Sequence, residues 1–216
     1  MKYVFFFWIV FLSNCSFSQT TDQQLAQYYY SSEEYGKALG YYNKLYKKDA
    51  TKFNFDRFLD CIIQTGDDKS AEKMLKKAVG RNRANKEYSM TLGAFYEERN
   101  EGGKAAKIYK RLIDELQPNS GQVIGLYNAF KAKGKSDLSF RTLEQGRKLL
   151  KKGYPLNFQY AEYYGSIGET KKMINEYLGL IDYHRAHMTS VKRILGAQVD
   201  FTNEESEAYG LLREAL

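Results

Sequence analysis

The chain has little of what most reactive sites are made from. Its 216 residues include two histidines, two cysteines, two prolines and one tryptophan. The histidines stand in Tyr183-His184-Arg185-Ala186-His187. At i, i+3 they could share a helix face, but no carboxylate or thiol is placed to complete a metal site, and Arg185 repels a cation. They read as a polar turn between helices. No alternating strand pattern is visible, so there is no glycine-rich phosphate loop following a strand. No serine has a histidine nearby. The paired carboxylates Glu33-Glu34, Glu97-Glu98 and Glu204-Glu205 are adjacent in sequence. On a helix such neighbours point in different directions and do not share a substrate. The sequence therefore assigns no catalytic residue, cofactor or metal, and the expectation is that the protein is not an enzyme.

The cysteines lie at 15 and 61. Cys15 falls in an N-terminal segment unlike the rest. Lys2 precedes nine apolar residues, Val4 to Leu12, and then comes Ser13-Asn14-Cys15-Ser16-Phe17-Ser18-Gln19. A short positive start, an apolar stretch of this length and a small-residue exit describe a secretory signal peptide over residues 1–18. The stretch is too short to span a bilayer as a stable helix. Cleavage after Ser18 would leave Gln19 at the new terminus. A phenylalanine-rich leader ending in Phe-Ser-Gln resembles those of exported proteins of Bacteroidota. Leu12-Ser13-Asn14-Cys15 also resembles a lipobox, although Asn14 replaces the small residue normal before the lipidated cysteine. Both readings export the chain, to the periplasm or the outer membrane. Cys61 would then be the sole mature cysteine, unable to form an intramolecular disulfide, and its apolar neighbours mark it as a packing residue.

The 33 basic and 26 acidic residues give a net charge of +7, and removing Lys2 with the leader leaves +6. Basic residues crowd three stretches: Lys73, Lys76, Lys77, Arg81 and Arg83; Lys104, Lys107, Lys110 and Arg111; Arg147, Lys148, Lys151 and Lys152. These read as a solvated face, with peripheral contact to an anionic envelope surface as the functional alternative. Nucleic acid is not expected, since the runs lack the interleaved aromatics of a stacking platform.

What the chain does have is a repeat of 34 residues. Phe58, Leu92, Leu126, Tyr160 and Ile194 follow one another at that spacing. Four residues on run Ile62, Tyr96, Phe130 and Tyr164, and four more bring Gly66, Asn100, Gly134 and Gly168. A helix breaker after two large residues at i and i+4 ends a short amphipathic helix. A mostly small series then appears, Ala38, Ala71, Ala105, Ser139 and Met173, with Tyr42, Leu75, Tyr109, Leu143 and Tyr177 four residues later. Each unit reads helix, turn, helix. Two antiparallel helices approach closely only where side chains are small, so Ala26, Gly93 and Ala161 are expected to face Ala38, Ala105 and Met173. The 19 tyrosines are expected to pack rather than to line a cofactor site.

The pattern resembles the tetratricopeptide repeat (TPR). In the unit from Lys86 to Asn119, Leu92-Gly93-Ala94-Phe95-Tyr96, Ala105, Tyr109 and Pro118 stand where that family has its signature residues. The family's tryptophan is absent from every unit, and Leu59, Tyr127 and Met173 occupy sites that are usually small. The resemblance implies an all-α fold, a right-handed superhelical solenoid of stacked helix-turn-helix repeats over residues 19–216. Five clear units reach residue 180, and a sixth, divergent hairpin covers 188–216.

It also implies a non-catalytic scaffold that binds a protein or peptide partner in a groove lined by the first helices. The helix register gives Gln27, Tyr30, Phe53, Asp56, Asp60, Ile63, Met90, Glu97, Ile124, Asn128, Lys131, Phe158 and Glu162 as groove residues. Family members that hold a C-terminal carboxylate use a Lys and an Asn one turn apart. Here Asn128 has Ile124 in place of the Lys, while Asp60 and Glu162 hold the corresponding Asn positions, so that ligand is disfavoured. The alternative reading is a helical arm or truncated part of a larger envelope protein, such as a peptidoglycan-acting enzyme with its catalytic domain elsewhere. The segment from Glu204 to Leu216 places Ala208, Leu211, Leu212 and Ala215 near one face, which is expected to meet a downstream segment or a second copy of the chain.

Overall fold

The computed structural model describes residues 15–151, 155–198, 205 and 207–215. Twelve α-helices and one short 3₁₀ turn are formed among them: α1 (Cys15–Ser31), α2 (Tyr35–Lys48), α3 (Lys52–Gln64), α4 (Asp68–Arg81), α5 (Lys86–Glu98), α6 (Gly102–Asp114), α7 (Ser120–Ala132), α8 (Ser136–Leu150), α9 (Asn157–Ser166), α10 (Thr170–Tyr183), the 3₁₀ turn Arg185–His187, α11 (Met188–Gln198) and α12 (Glu207–Ala215). There is no strand among the described residues. Two compact units divide at Ala105, inside α6. Residues 1–14, and with them the apolar stretch of the expected leader, lie outside the described residues; Cys15 to Ser18 are helical backbone at the start of α1.

The helices pair in chain order, and the turns inside the pairs show why. Gly66, Gly134 and Gly168 have φ of 78°, 67° and 76°, and Asn100 has 60°. This is the series that the repeat marks as helix breakers. A left-handed residue after the last turn lets the following N–H fold back onto a free helix carbonyl. Asp67 N–H donates to Ile62 O, Glu101 N–H to Tyr96 O, Lys135 N–H to Phe130 O and Glu169 N–H to Tyr164 O. The accepting residue is each time the second large residue of the first helix. One set of positions therefore closes the helix and fills the core. In the first hairpin, Glu33 holds the left-handed position with φ 59°, and Glu34 N–H donates to Tyr29 O.

Side chains cap several of the described α-helix starts. Thr51 accepts from Asn54 N–H, Asp67 from Ser70 N–H, Asn85 from Glu87 N–H and Asn119 from Gln122 N–H. Each such bond stabilises by about 1 kcal/mol. Pro118 and Pro155 lie between pairs, ahead of α7 and α9, where a missing N–H interrupts no helix.

Burial follows the repeat. The small series Ala38, Ala71, Ala105, Ser139 and Met173 is buried throughout, as is the large series Tyr42, Leu75, Tyr109, Leu143 and Tyr177. Burying one such large side chain is worth about 1.5–3 kcal/mol. In the first unit Ala26, Ala38, Tyr42 and Cys61 form one cluster. Burial pushes the Cys61 thiol up to about 11, so it stays protonated and inert near neutrality. In the second unit Ala161, Met173, Ile174, Tyr177, Val191 and Leu195 cluster. Elsewhere in this unit the packing is tight at Gly146, where an added Cβ would stand 2.3 Å from Val123 Cγ1 and 3.0 Å from Leu156 Cδ1.

The sixth hairpin expected over 188–216 is described only in part, as α11 and α12. Among the described residues, α11 and α12 both make their main contacts with α10. Tyr209 and Leu211 of α12 pack on the cluster around Tyr177, and Lys171 pairs with Glu214 at 3.1 Å. Part of the α12 face expected to await a partner is thus already in use. The reason is local: α10 still has apolar surface at Ile174 and Tyr177 to cover, and α12 covers it. Glu204 and Leu216, the bounds of the segment named from the sequence, lie outside the described residues.

Candidate interaction surfaces

The groove residues expected from the register fall into two patches, one in each unit. In the first, α1 and α3 bring Tyr30, Phe53, Arg57 and Asp60 together. The Tyr30 hydroxyl donates to Asp60. The Arg57 guanidinium lies 4.2 Å from the centre of the Tyr30 ring and 5.5 Å from that of Phe53. Burial raises the Tyr30 phenol above its ordinary value, and the bond to Asp60 adds to this, so the phenol remains a donor. Phe53 is 50% exposed. Arg57 was not among the expected residues. Its place on the same helix four residues after Phe53 and three before Asp60 is the signal that could have found it.

The other expected residues of this unit are held more loosely or not on the surface at all. Gln27 accepts from the Tyr42 hydroxyl at 3.3 Å and donates to Ser31 at 3.0 Å. Asp56 pairs with Lys52 at 2.5 Å, and the same ammonium reaches Glu87 at 2.9 Å. Ile63 is half-buried and Glu97 exposed. Met90 is a correction: it is 4% exposed and offers no side chain to a partner. The first helix of that pair is surrounded on more than one face, and Met90 looks into the interior with Leu92 and Phe95, which are also buried.

In the second unit, α7 and α9 present Tyr127, Lys131, Phe158 and Glu162. Glu162 accepts from the Tyr127 hydroxyl at 3.0 Å and pairs with Lys131. Burial, with the Glu162 bond second, raises the Tyr127 phenol well above its ordinary value. Asn128 is exposed and Ile124 half-buried. Phe158 is 42% exposed, with its ring 6.2 Å from that of Tyr177. Phe158, Glu162, Gly165, Thr170, Met173 and Ile194 line a groove of about 610 Å³. This lies within the range of roughly 300–1,000 Å³ that holds a ligand.

Basic residues on the second helices are not equivalent. Lys76 pairs with Glu72 at 2.7 Å, Lys104 with Glu101, Lys110 with Asp114, and Arg111 with Glu115 at 2.6 Å. Arg147 makes two bonds to Glu176, at 3.0 and 2.8 Å, and its guanidinium lies 3.6 Å from the centre of the Tyr160 ring. His184 and His187 stand with ring centres 6.1 Å apart at the 3₁₀ turn, where His184 Nδ1 accepts from Ala186 N–H. No group of three or more His, Cys, Asp or Glu side chains able to hold a metal occurs among the described residues.

No protein-family model and no curated protein matches the chain. Solved structures do resemble it at low identity. A thermophilic TPR protein from Thermus thermophilus is 17% identical, over 80% of this chain and 97% of that one, with a TM-score of 0.35. The C-terminal part of a TPR repeat-containing protein from Cytophaga hutchinsonii is 15% identical, over 88% and 80%, with a TM-score of 0.42. The TPR2AB domain of yeast Sti1 in its pHSP90 complex is 12% identical, over 93% and 99%, with a TM-score of 0.38. Nothing about a ligand passes from those proteins to this chain. The 34-residue register, the left-handed turn that recurs with it and the helices paired in chain order make this an all-α protein of repeated helix-turn-helix units, similar to tetratricopeptide repeats.

Proposed function

We propose that the protein is an exported, non-catalytic scaffold of the bacterial cell envelope, binding a protein or peptide partner through its first helices. The observation that carries this reading is a pair of exposed phenylalanines, Phe53 and Phe158, each on a first helix. Each stands in a patch with a carboxylate fixed by a tyrosine hydroxyl, Asp60 by Tyr30 and Glu162 by Tyr127. An aromatic left in water beside oriented polar groups suits a protein interface, where aromatic anchors carry much of the binding energy. Export rests on the leader-like sequence of residues 1–18. No helix among the described residues is long and apolar enough to cross a membrane.

Photo-crosslinking residues placed at Phe53 and Phe158 test the binding surface. The expected result is one shared protein partner captured from envelope extract at both positions and not from Lys107. Equal capture at all three positions would remove the first-helix assignment. Mass analysis of the exported chain tests processing. A start at Gln19 supports release, a lipidated Cys15 would replace it with anchoring, and an intact Met1 would overturn export.

A further inference from the structure

The second helices of the first unit carry a recess that the first-helix surface does not use. Asn43, Tyr46 and Lys47 of α2 form one wall, and Ser70, Lys73, Met74, Lys77, Ala78 and Arg81 of α4 form the other. Phe55, Phe58 and Ile62 of α3 make the floor, and Tyr88 of α5 closes one end. The recess is open to solvent and has a volume of about 600 Å³. The floor is aromatic: Tyr46 packs edge-on to Phe55 at 5.9 Å and against Phe58 at 5.8 Å, and Phe55 meets Tyr88 edge-on at 4.9 Å.

The rim is cationic, and no carboxylate lines it. Lys47, Lys73, Lys77 and Arg81 contribute four positive charges, and none of them makes an ion pair among the described residues. Other cations of the unit are held differently. Lys37, Lys44, Lys52, Lys76, Arg99 and Lys104 have carboxylate partners, whereas the rim cations face a lining without one. Glu72, the acid of α4 nearest in sequence to the rim, is taken by Lys76 at 2.7 Å and by the Tyr96 hydroxyl at 2.6 Å. The four rim cations therefore surround an apolar recess whose lining holds no carboxylate.

We infer that this recess binds an acidic peptide segment that carries an apolar anchor. Lys73, Lys77 and Arg81 stand four residues apart on one helix, about 6 Å per step and about 12 Å in all. An extended chain repeats side chains on one face at about 6.6–6.8 Å, so acids at alternate positions meet successive cations while an apolar side chain enters over Tyr46 and Phe58. A bilayer surface fits less well, because a flat array of headgroups meets protruding charges and leaves a recessed aromatic floor empty. The site is separate in position from Phe53, Arg57 and Asp60, and it does not depend on the first-helix reading.

The test uses the whole purified chain and a fluorescent peptide with Glu at alternate positions around a central Phe. Anisotropy should report saturable binding that weakens as salt rises. Lys73→Glu with Lys77→Glu should weaken it at least tenfold, as should Phe58→Ala, provided far-UV circular dichroism is unchanged. Lys107→Glu with Lys148→Glu alters net charge equally and should change it less than twofold, and Phe53→Ala should leave it unchanged. Equal loss in both charge-reversed proteins would overturn the site in favour of unspecific attraction. So would absent peptide binding, or binding only to vesicles of phosphatidylglycerol that Lys73→Glu with Lys77→Glu abolishes.

Discussion

The two units each hold one instructive arrangement of positive charge. In the second unit, a half-exposed arginine is held by the fold. Arg147 is clamped by Glu176, backed by the Tyr160 ring and bonded to Pro155 O at 3.2 Å, and Lys131 is neutralised by Glu162. In the first, Lys47, Lys73, Lys77 and Arg81 ring an aromatic recess without an acid. The packing register is the same in both. What differs is the local partner: Glu176 faces Arg147, and no carboxylate lines the recess. Charge placed against a partner within the fold adds stability, and charge left around an apolar recess is available to a ligand.

Overpacking the second unit should produce the largest effect. Gly146→Leu forces a side chain into space already filled by Val123 and Leu156, both fully buried. A loss of about 3 kcal/mol is expected in chemical denaturation. Ala105→Leu at the buried small position of α6 should cost about 1–3 kcal/mol, against little for the neighbouring exposed Lys107→Leu. Matching effects at 105 and 107 would break the register that both units share.

Arg147→Ala comes next. It leaves Glu176, whose side chain is only 15% exposed, without its two charged hydrogen bonds. A loss of about 2 kcal/mol follows from the usual worth of such bonds. Lys73→Ala should shift the unfolding midpoint hardly at all, because it loses no partner. If Lys73→Ala costs as much as Arg147→Ala, the contrast between the units is wrong.

The turns allow a finer test. Glu33 adopts φ 59° at the position where three other turns have glycine. Glu33→Gly should stabilise by about 0.5–1 kcal/mol, and Gly66→Ala should destabilise by about 1 kcal/mol, since a Cβ penalises the left-handed conformation. Thermal unfolding of the two variants should move in opposite directions.

The smallest effect concerns pH. The Ser70 side chain and backbone N–H hold the Asp67 carboxyl below its ordinary value, and Lys76, then Tyr96, do the same for Glu72. A depressed carboxylate contributes stability above its unfolded pKa, about 3.9 for Asp and 4.3 for Glu, and loses it as pH falls through the folded value. Melting temperature should therefore decline below about pH 4. Asp67→Asn, which keeps a capping oxygen, should flatten that decline slightly.

Much of this molecule was legible as spacing. Two large residues and a breaker at i, i+4 and i+8 state both where a helix ends and which side it buries, because one left-handed residue and one returning hydrogen bond do both jobs. The first-helix patches were legible in part. Asp60 and Glu162 share a register position three repeats apart, and Tyr30, Phe53 and Phe158 stand elsewhere on first helices, but Arg57 joins the first patch only because its long side chain reaches over two rings. Met90 left the surface because neighbouring residues cover it, which no single-helix pattern contains.

The sequence by itself determined the repeat, the turns and the buried small and large positions, since these depend on contacts within about one repeat length. Only tertiary structure decided the rest. Leu156 takes φ 56° ahead of α9, a conformation no leucine signals, and its side chain is wholly buried beside the glycine that makes room for it. The last helix lies on α10 because surface there was still uncovered. Four lysine and arginine side chains on two helices surround one recess because α2 and α4 stand apart over α3, a distance that separate helices cannot encode.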